Sequence, residues 1–268
     1  PGVTVRVFDM DKRKIAAWNS SLLPFYEPSM QEMLEDVRGQ NLFFTNDAEA
    51  AIRSAEMVFV SVSTPLKEGG IGAGYAPDLV NWEKIARMIA SASNCPKIIV
   101  ERSTVPVRTA GAMAKVLGFN TDHQMTVLSN PEFARQGVAI TDIASPERVM
   151  IGGEQTPEGL RAIGALADLD AQGVPRAKII ASDLWSAEPA KLAANAFLAQ
   201  RISSINAISA LCEKTNADVS EVAYAVGVDT RVGRKNLQAG VGFGGVCYET
   251  HLRNLIYLCR SRRLPQVG

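Results

Sequence analysis

The sequence predicts an α/β fold: a parallel sheet covered on both faces, followed by a helical domain. Three observations carry this. Strand-like and helix-like segments alternate through the first two thirds of the chain. The strand-like segments are continuous apolar, β-branched runs rather than alternating ones, as expected of strands buried on both faces. From about Asp183 the strand pattern stops and long helical patterns take over.

In order, Val3-Thr-Val-Arg-Val-Phe-Asp9 reads as a buried strand ending in an acid, and Lys12 to Trp18 as a short helix. Pro24 and Pro28 bracket a turn, Met30 to Val37 is helical, and Leu42-Phe-Phe44 is a short strand. Asp47 caps a helix running through Ser54. Met57 to Val62 is the next strand, and Gly69-Gly-Ile-Gly-Ala-Gly74 is expected to be a mobile loop. Asp78 to Ser93 is helical, Lys97 to Glu101 a strand, Arg108 to Leu117 a helix and Gln124 to Leu128 a strand. Val149 to Ile151 and Lys178 to Ile180 are strands separated by a helix from Pro157 to Leu169. Ser186 to Lys214, Val219 to Val226 and Leu252 to Ser261 are the closing helices. The domain boundary is placed near residue 183, dividing residues 1–182 from 183–268.

Composition excludes several function classes. Hydrophobic residues make up 47% of the 268 and charged ones 21%, enough for a sizeable core and against disorder. Lys plus Arg and Asp plus Glu both number 28, which argues against nucleic acid as a partner. Cys95, Cys212, Cys247 and Cys259 form no CxxC pair, and only 2 histidines accompany them. No metal site is expected, and a reducing, cytoplasmic setting fits unpaired thiols. No apolar run reaches the roughly 18 residues that span a bilayer, so no membrane association is expected.

Two patterns point to chemistry. The first is Gly240-Val-Gly-Phe-Gly-Gly-Val-Cys247, where glycines let the backbone approach a ligand ahead of a thiol. Upstream, Lys191 and Asn195 share one helix face at i and i+4. A cation near a thiol favours thiolate, the nucleophilic form, and suggests covalent catalysis on a carbonyl. On Cys247 alone, a buried cysteine beside a flexible turn is the expectation, since free cysteine is among the most buried residue types. The second pattern is a set of polar strand ends: Ser61-Val-Ser-Thr-Pro65, Glu101-Arg-Ser-Thr-Val-Pro106 and Ser129-Asn-Pro-Glu132. Each serves equally as a turn or cap. Three in one sheet favour a ligand crevice at the carboxyl ends of the strands.

Asp9, ending an early strand, stands where dinucleotide-binding folds place an acid on the adenosine ribose. That acid follows the glycine fingerprint by about 20 residues. Only eight residues precede Asp9. The expectation is therefore a Rossmann-like domain without its first βα unit. A simple strand-end cap is the other reading of Asp9, and both stay open.

The chain resembles the UDP-glucose/GDP-mannose dehydrogenase family. The carrying stretches are Ala17-Trp-Asn-Ser20, Leu23-Pro-Phe-Tyr-Glu-Pro28, Ser103-Thr-Val-Pro-Val107, Leu128-Ser-Asn-Pro-Glu-Phe133, Ile151-Gly-Gly153, Lys191 through Ser204, and Val241-Gly-Phe-Gly-Gly245. The likeness runs through essentially the whole chain, and is greatest to the animal and plant type. It implies NAD as cofactor, UDP-glucose as substrate, and oxidation of the sugar C6 alcohol to a carboxylate through a cysteine thiohemiacetal and thioester.

Residue by residue, the resemblance implies Cys247 as nucleophile and Glu132 as acid or base at the hydrolysis. Lys191 and Asn195 would stabilise the oxyanion, with Thr104 near the reacting water. Asp9, Lys14, Val62, Ser63, Thr64, Pro65, Ser103 and Gln136 would contact the cofactor. Glu132, Phe133, Lys191, Asn195, Arg231, Gly242, Phe243 and Gly244 would contact the substrate. The closing segment would be a central helical dimerisation domain carrying the cysteine loop, in a homodimer or higher oligomer.

The departures are local. The family reads Phe-Gln-Lys-Asp after the cysteine, and this chain reads Tyr248-Glu-Thr-His251. His251 thus replaces an aspartate and Thr250 a lysine. Gln136 stands for a glutamate, Gln238 for a lysine and Val246 for a serine. The family's third domain is expected to be absent, so the chain reads as truncated at both ends. A catalytically impaired relative acting as a dimerisation or nucleotide-binding module is the alternative. Cys247 and Glu132 argue against a hydroxyacid dehydrogenase, which needs no thioester.

Overall fold

The computed structural model describes residues 2–264 and Gln266, with the backbone alone at Val246. Pro1, Pro265, Val267 and Gly268, at the ends of the two expected domains, lie outside the described residues. The chain forms two compact units. One holds the residues up to Thr64 together with Leu79–Glu188, and the other Pro65–Asp78 together with the chain from Pro189 onward.

The sheet unit begins with β1 (Val5–Phe8), α1 (Lys12–Trp18), α2 (Met30–Val37), β2 (Leu42–Thr45) and α3 (Ala48–Ser54). It continues through β3 (Met57–Val60), α4 (Val80–Ala92), β4 (Lys97–Glu101), α5 (Thr109–Asn120) and β5 (Met125–Ser129). Then come α6 (Ala139–Ala144), β6 (Val149–Gly153), α7 (Pro157–Asp170), a 3-10 turn at Arg176–Lys178 and β7 (Ile179–Asp183). Helix starts follow side-chain chemistry: Asp11, Asp47 and Thr156 each accept a backbone N–H of the first turn, and Pro157 opens α7 where its missing N–H costs nothing.

β1 and β2 pair in parallel as a two-stranded sheet, and β3-β4-β5-β6-β7 form a second sheet in that spatial order. Side chains alternate between its faces, as the period of two requires. Ile99 and Val127 join a core with Val60, Trp82, Ile89, Met113 and Leu117. Their sequence neighbours Val100 and Leu128 point the other way, to Ile151, Ile163 and Leu166. Both faces are thus covered, by α4 and α5 on one side and α7 on the other, and Ile98, Ile99 and Val100 of β4 and Val127 and Leu128 of β5 are apolar.

One pairing differs from the expected parallel sheet. β6 runs antiparallel to β5, while β3-β4-β5 and β6-β7 are parallel. The segment joining β5 to β6 holds only the short α6, not a crossover helix that would carry the chain back to the starting edge.

The helical unit comprises most of α8 (Leu184–Thr215), α9 (Val219–Val228) and α10 (Val246–Ser261). Pro189 lies inside α8, where it withholds one backbone donor, and the division between the units falls between Glu188 and Pro189. α10 starts at Val246 rather than at the expected Leu252, because Gly245 (φ 96°, ψ 141°) turns the chain directly into the helix. The Gly69–Gly74 stretch, expected to be mobile, is instead folded on itself by hydrogen bonds. Lys67 N–H donates to Ala76 O (2.8 Å), Gly74 N–H to Lys67 O (2.8 Å) and Asp78 N–H to Pro65 O (2.6 Å).

Candidate functional site

In the sheet unit the register sets three carboxyl ends in one row: Val60 pairs with Glu101, and Glu101 with Ser129. The residues that follow are the polar ones singled out by sequence. Ser103 Oγ accepts the Val62 amide at 2.9 Å, and Thr64 Oγ1 donates to Thr104 O at 2.8 Å, so the two strand ends are laced together. Glu132 is held by three donors. The amides of Phe133 and Ala134 reach its Oε1 at 2.7 and 2.8 Å, and the Arg102 guanidinium pairs with Oε2. Arg148 stacks over the Phe133 ring, 3.9 Å from its centroid.

Within this row Glu101 is buried, taking the Trp82 indole N–H and the Ser103 amide. Burial pushes its pKa up to about 7, against the pull of those hydrogen bonds. Asp170 is half-buried and also raised by burial, with the Arg102 charge opposing and the Glu132 charge adding. Glu188 is buried too and accepts the amides of Arg108 and Ala110. It supplies the N-terminal cap of α5 that Arg108, in the left-handed region, does not.

Asp9 follows β1. Its Oδ1 accepts the Asp11 amide at 2.8 Å, and its Oδ2 lies 3.5 Å from Lys14 Nζ. Ser63 and Gln136 are exposed in loops.

In the helical unit Cys247 occupies the first turn of α10 and is exposed, which overturns the expectation of a buried thiol. The glycine loop before it is tied to α8 where the Gly240 amide donates to Asn206 Oδ1 at 2.9 Å. Gly242, Phe243 and Gly244 are exposed, and the Phe243 ring lies 6.2 Å from that of Tyr248. Lys191 and Asn195 lie one turn apart on α8. The Asn195 amide nitrogen is 2.6 Å from His251 Nδ1, and both residues are buried. Burial, and then the Lys191 charge, lower the His251 pKa to about 4. Arg231 is paired with Asp229 at 2.6 Å on the surface.

Cys247, His251 and Asn254 fall at i, i+4 and i+7 on one face of α10. Asn254 is buried, and its amide has no partner among the described residues. The sequence reading placed the start of this helix too late to see that face. Arg102 was missed as well, since its pairing with Glu132 crosses two strands and leaves no local signal. The Val246 side chain, expected in place of a serine, lies outside what is described.

Residues 1–167 match the family model described as UDP-glucose/GDP-mannose dehydrogenase family, NAD binding domain, and residues 185–267 match that family's central domain. The chain belongs to the UDP-glucose/GDP-mannose dehydrogenase family. Within this family, it is 55% identical over 269 aligned positions to UDP-glucose 6-dehydrogenase 5 of Oryza sativa subsp. japonica, covering 100% of this chain and 56% of that protein. It is 53% identical to UDP-glucose 6-dehydrogenase 4 of Arabidopsis thaliana with the same coverage. The chain therefore spans about half the length of the curated relatives it matches. Among solved structures, a UDP-glucose dehydrogenase from the hyperthermophilic archaeon Pyrobaculum islandicum is 29% identical with a TM-score of 0.87, over 97% of this chain and 59% of that one. The α/β class with a mostly parallel, Rossmann-like sheet follows from the topology and from these family members alike. No helix among the described residues is long and apolar enough to cross a membrane.

Proposed function

We propose that this chain carries the cofactor and central domains of an NAD-dependent UDP-glucose 6-dehydrogenase. The observation that carries the reading is an exposed Cys247 on the first turn of α10, with Lys191 and Asn195 on the neighbouring α8, in a chain more than half identical to such enzymes. The row of polar carboxyl ends fits a dinucleotide crevice. Asp9 and Lys14 would hold the ribose end, while Val62, Ser63, Thr64, Pro65, Ser103 and Gln136 would line the rest. NAD, when bound, supplies the hydride acceptor.

The chain's own residues would do the remaining work. Cys247 Sγ adds to the C6 carbonyl of the aldehyde, giving a thiohemiacetal, and the oxidised adduct is a thioester. Lys191 and Asn195 aim an ammonium and an amide N–H at the developing oxyanion. Glu132, fixed by Arg102 and two backbone amides, takes the proton from the water that releases the carboxylate, with Thr104 beside it. Phe133, Arg231, Gly242, Phe243 and Gly244 would shape the sugar-nucleotide site.

The helical segment is inferred to be a homodimerisation domain, with 1–182 as the cofactor domain and 183–268 as the central one. Phe197 (69% exposed) and Leu211 (59%) on α8 and Tyr224 (61%) on α9 offer the apolar surface a partner copy would cover. The four described cysteines are all free, which supports a reducing, cytoplasmic setting.

The test is NADH formation from UDP-glucose and NAD+, by this chain and by the chain joined to the further length its relatives carry, with Cys247→Ala as the comparison. A loss of roughly 1,000-fold or more is expected on removing the nucleophile. Equal rates with and without the thiol, or no turnover in either form, would overturn the reading.

A further inference from the structure

His251 is where this chain departs most in charge from the pattern it resembles, since a base stands in place of an acid. It is also among the few buried polar residues of the helical unit, and its ring nitrogen Nδ1 meets Asn195 Nδ2 at 2.6 Å. An amide nitrogen can only donate, so at this contact Nδ1 must carry no proton and must accept. A neutral imidazole then has its single proton on Nε2. We propose that His251 is a positioning residue: as the neutral Nε2–H tautomer it holds the Asn195 carboxamide in one of its two flipped orientations, through Nδ1.

The consequence follows from counting donors. Asn195 Nδ2 has two N–H groups, and one is committed to His251. The carboxamide is planar, so fixing that bond also fixes where the second N–H and Oδ1 point. The second N–H is the one left for a developing oxyanion, in the reading given above. Were the ring protonated, Nδ1–H would face Nδ2–H, and the amide would have to turn over and present Oδ1. Lys191, one turn before Asn195 on α8, is the charged group whose field acts on the ring from that helix. On α10 the titratable neighbour one turn away is Cys247. The Lys191 field and the burial of the ring both disfavour a second proton on it. An aspartate at this position could accept the same N–H, but it would carry its charge beside Lys191. A histidine performs the orientation with no charge.

The effect on turnover rests on the dehydrogenase reading, whereas the tautomer does not, so two measurements separate them. The first is heteronuclear NMR of the imidazole nitrogens in the unmodified chain, with His251→Asn to assign the His251 signals. Between pH ~5 and ~8, His251 is expected to keep an unprotonated, hydrogen-bonded Nδ1 and a protonated Nε2, while an ordinary histidine titrates near 6.5. Asn195→Ala should shift the Nδ1 resonance. A ring that titrates near 6.5, that carries its proton on Nδ1, or that ignores the loss of Asn195 overturns the proposal. The second compares His251→Asn, whose side-chain oxygen can replace Nδ1 as acceptor, with His251→Leu, which cannot. In a turnover assay, His251→Leu should lower kcat by ~10- to 100-fold with KM for NAD+ unchanged, and His251→Asn should recover most of it. Equal losses in both variants overturn the positioning role. If neither this chain nor the chain joined to the further length its relatives carry turns over substrate, the dehydrogenase reading fails and the NMR result alone decides the proposal.

Discussion

Glu132 and Ser103 in the sheet unit are held by the backbone around them, whereas Cys247 in the helical unit is placed by a glycine. Glu132 takes two amides and a guanidinium, and Ser103 bonds the end of the neighbouring strand. Cys247 stands exposed one turn into a helix whose entry depends on the φ of 96° at Gly245. The contrast follows from what each region can offer. Parallel strands end side by side and present rows of amides, so polar groups there are pinned by covalent geometry. A helix entered from an irregular loop has only its first turn and the loop torsions to fix a side chain. The sheet unit should therefore lose function when a charge is changed, and the helical unit when the backbone is changed.

The largest effect expected on that contrast is Glu132→Gln. Glutamine has one acceptor where the carboxylate serves three donors, and it presents an amide to Arg102 or to the backbone. On the proposed role of Glu132 as acid–base group, NADH formation should fall ~100- to 10,000-fold. The unfolding free energy from urea titration should fall too, by about 1–3 kcal/mol for the donors left without a partner. A variant with near-normal turnover would show that turnover depends on neither the charge nor the full pinning of this carboxylate.

Next is Gly245→Ala, the backbone counterpart. A φ of 96° with ψ 141° belongs to a region that glycine alone enters freely, and the strain is about 1–3 kcal/mol. The entry to α10 must relax, moving Cys247 with it. Displacement by about 1 Å is enough for a ~100-fold fall in turnover. Alkylation of Cys247 by iodoacetamide, compared with circular dichroism of the same samples, checks this. Unchanged reactivity and turnover would mean that the loop does not place the thiol.

A smaller effect belongs to the glycine excursion of the helical unit. Gly72 has φ 84°, and an added Cβ would come within 2.6 Å of Ala76 Cβ and 2.8 Å of the Tyr257 ring. Gly70 has φ 75° and nothing within 4 Å. Both Ala replacements carry the torsional strain, and only Gly72→Ala carries the overlap. Denaturation should show a loss of ~2 kcal/mol for Gly72→Ala and ~1 for Gly70→Ala. Equal losses would mean that the excursion does not pack on α10.

Much of this was legible in the sequence, because it depends on local pattern. Continuous apolar runs mark β4 and β5, Asp47 marks the start of α3, and the polar strand ends mark the row beside Glu101. Features that depend on tertiary pairing were not legible. Nothing local tells that β6 will enter antiparallel, or that Arg102 will meet Glu132 rather than solvent. The start of α10 was misread for a definite reason. Glycine lowers helix propensity, and the run Gly244-Gly245 masks the helix that begins one residue later. With that start misplaced, the shared face of Cys247, His251 and Asn254 could not be read. Resemblance supplied the roles, while the partners had to come from the fold.

The smallest net effect expected is the most discriminating, because the two units bury ionisable groups of opposite kind. Glu101 in the sheet unit is raised from 4.5 to about 7, chiefly by burial. Between those values the folded state binds more protons than the unfolded one, so its contribution to stability is lost as pH rises. His251 in the helical unit is lowered from 6.5 to about 4, again chiefly by burial. There the unfolded state binds more protons across the window, so stability is gained as pH rises and lost as it falls. Over the shared span, from 4.5 to 6.5, the two contributions run against each other, and the thermal midpoint of the unmodified chain should change little. Single replacements unmask them. Glu101→Gln should leave a midpoint that climbs with pH, and His251→Asn one that declines. If the units melt separately, the two transitions should move in opposite directions in the unmodified chain. A midpoint that climbs in both variants, or declines in both, would show that Glu101 and His251 are not the opposing groups and would remove this distinction between the units.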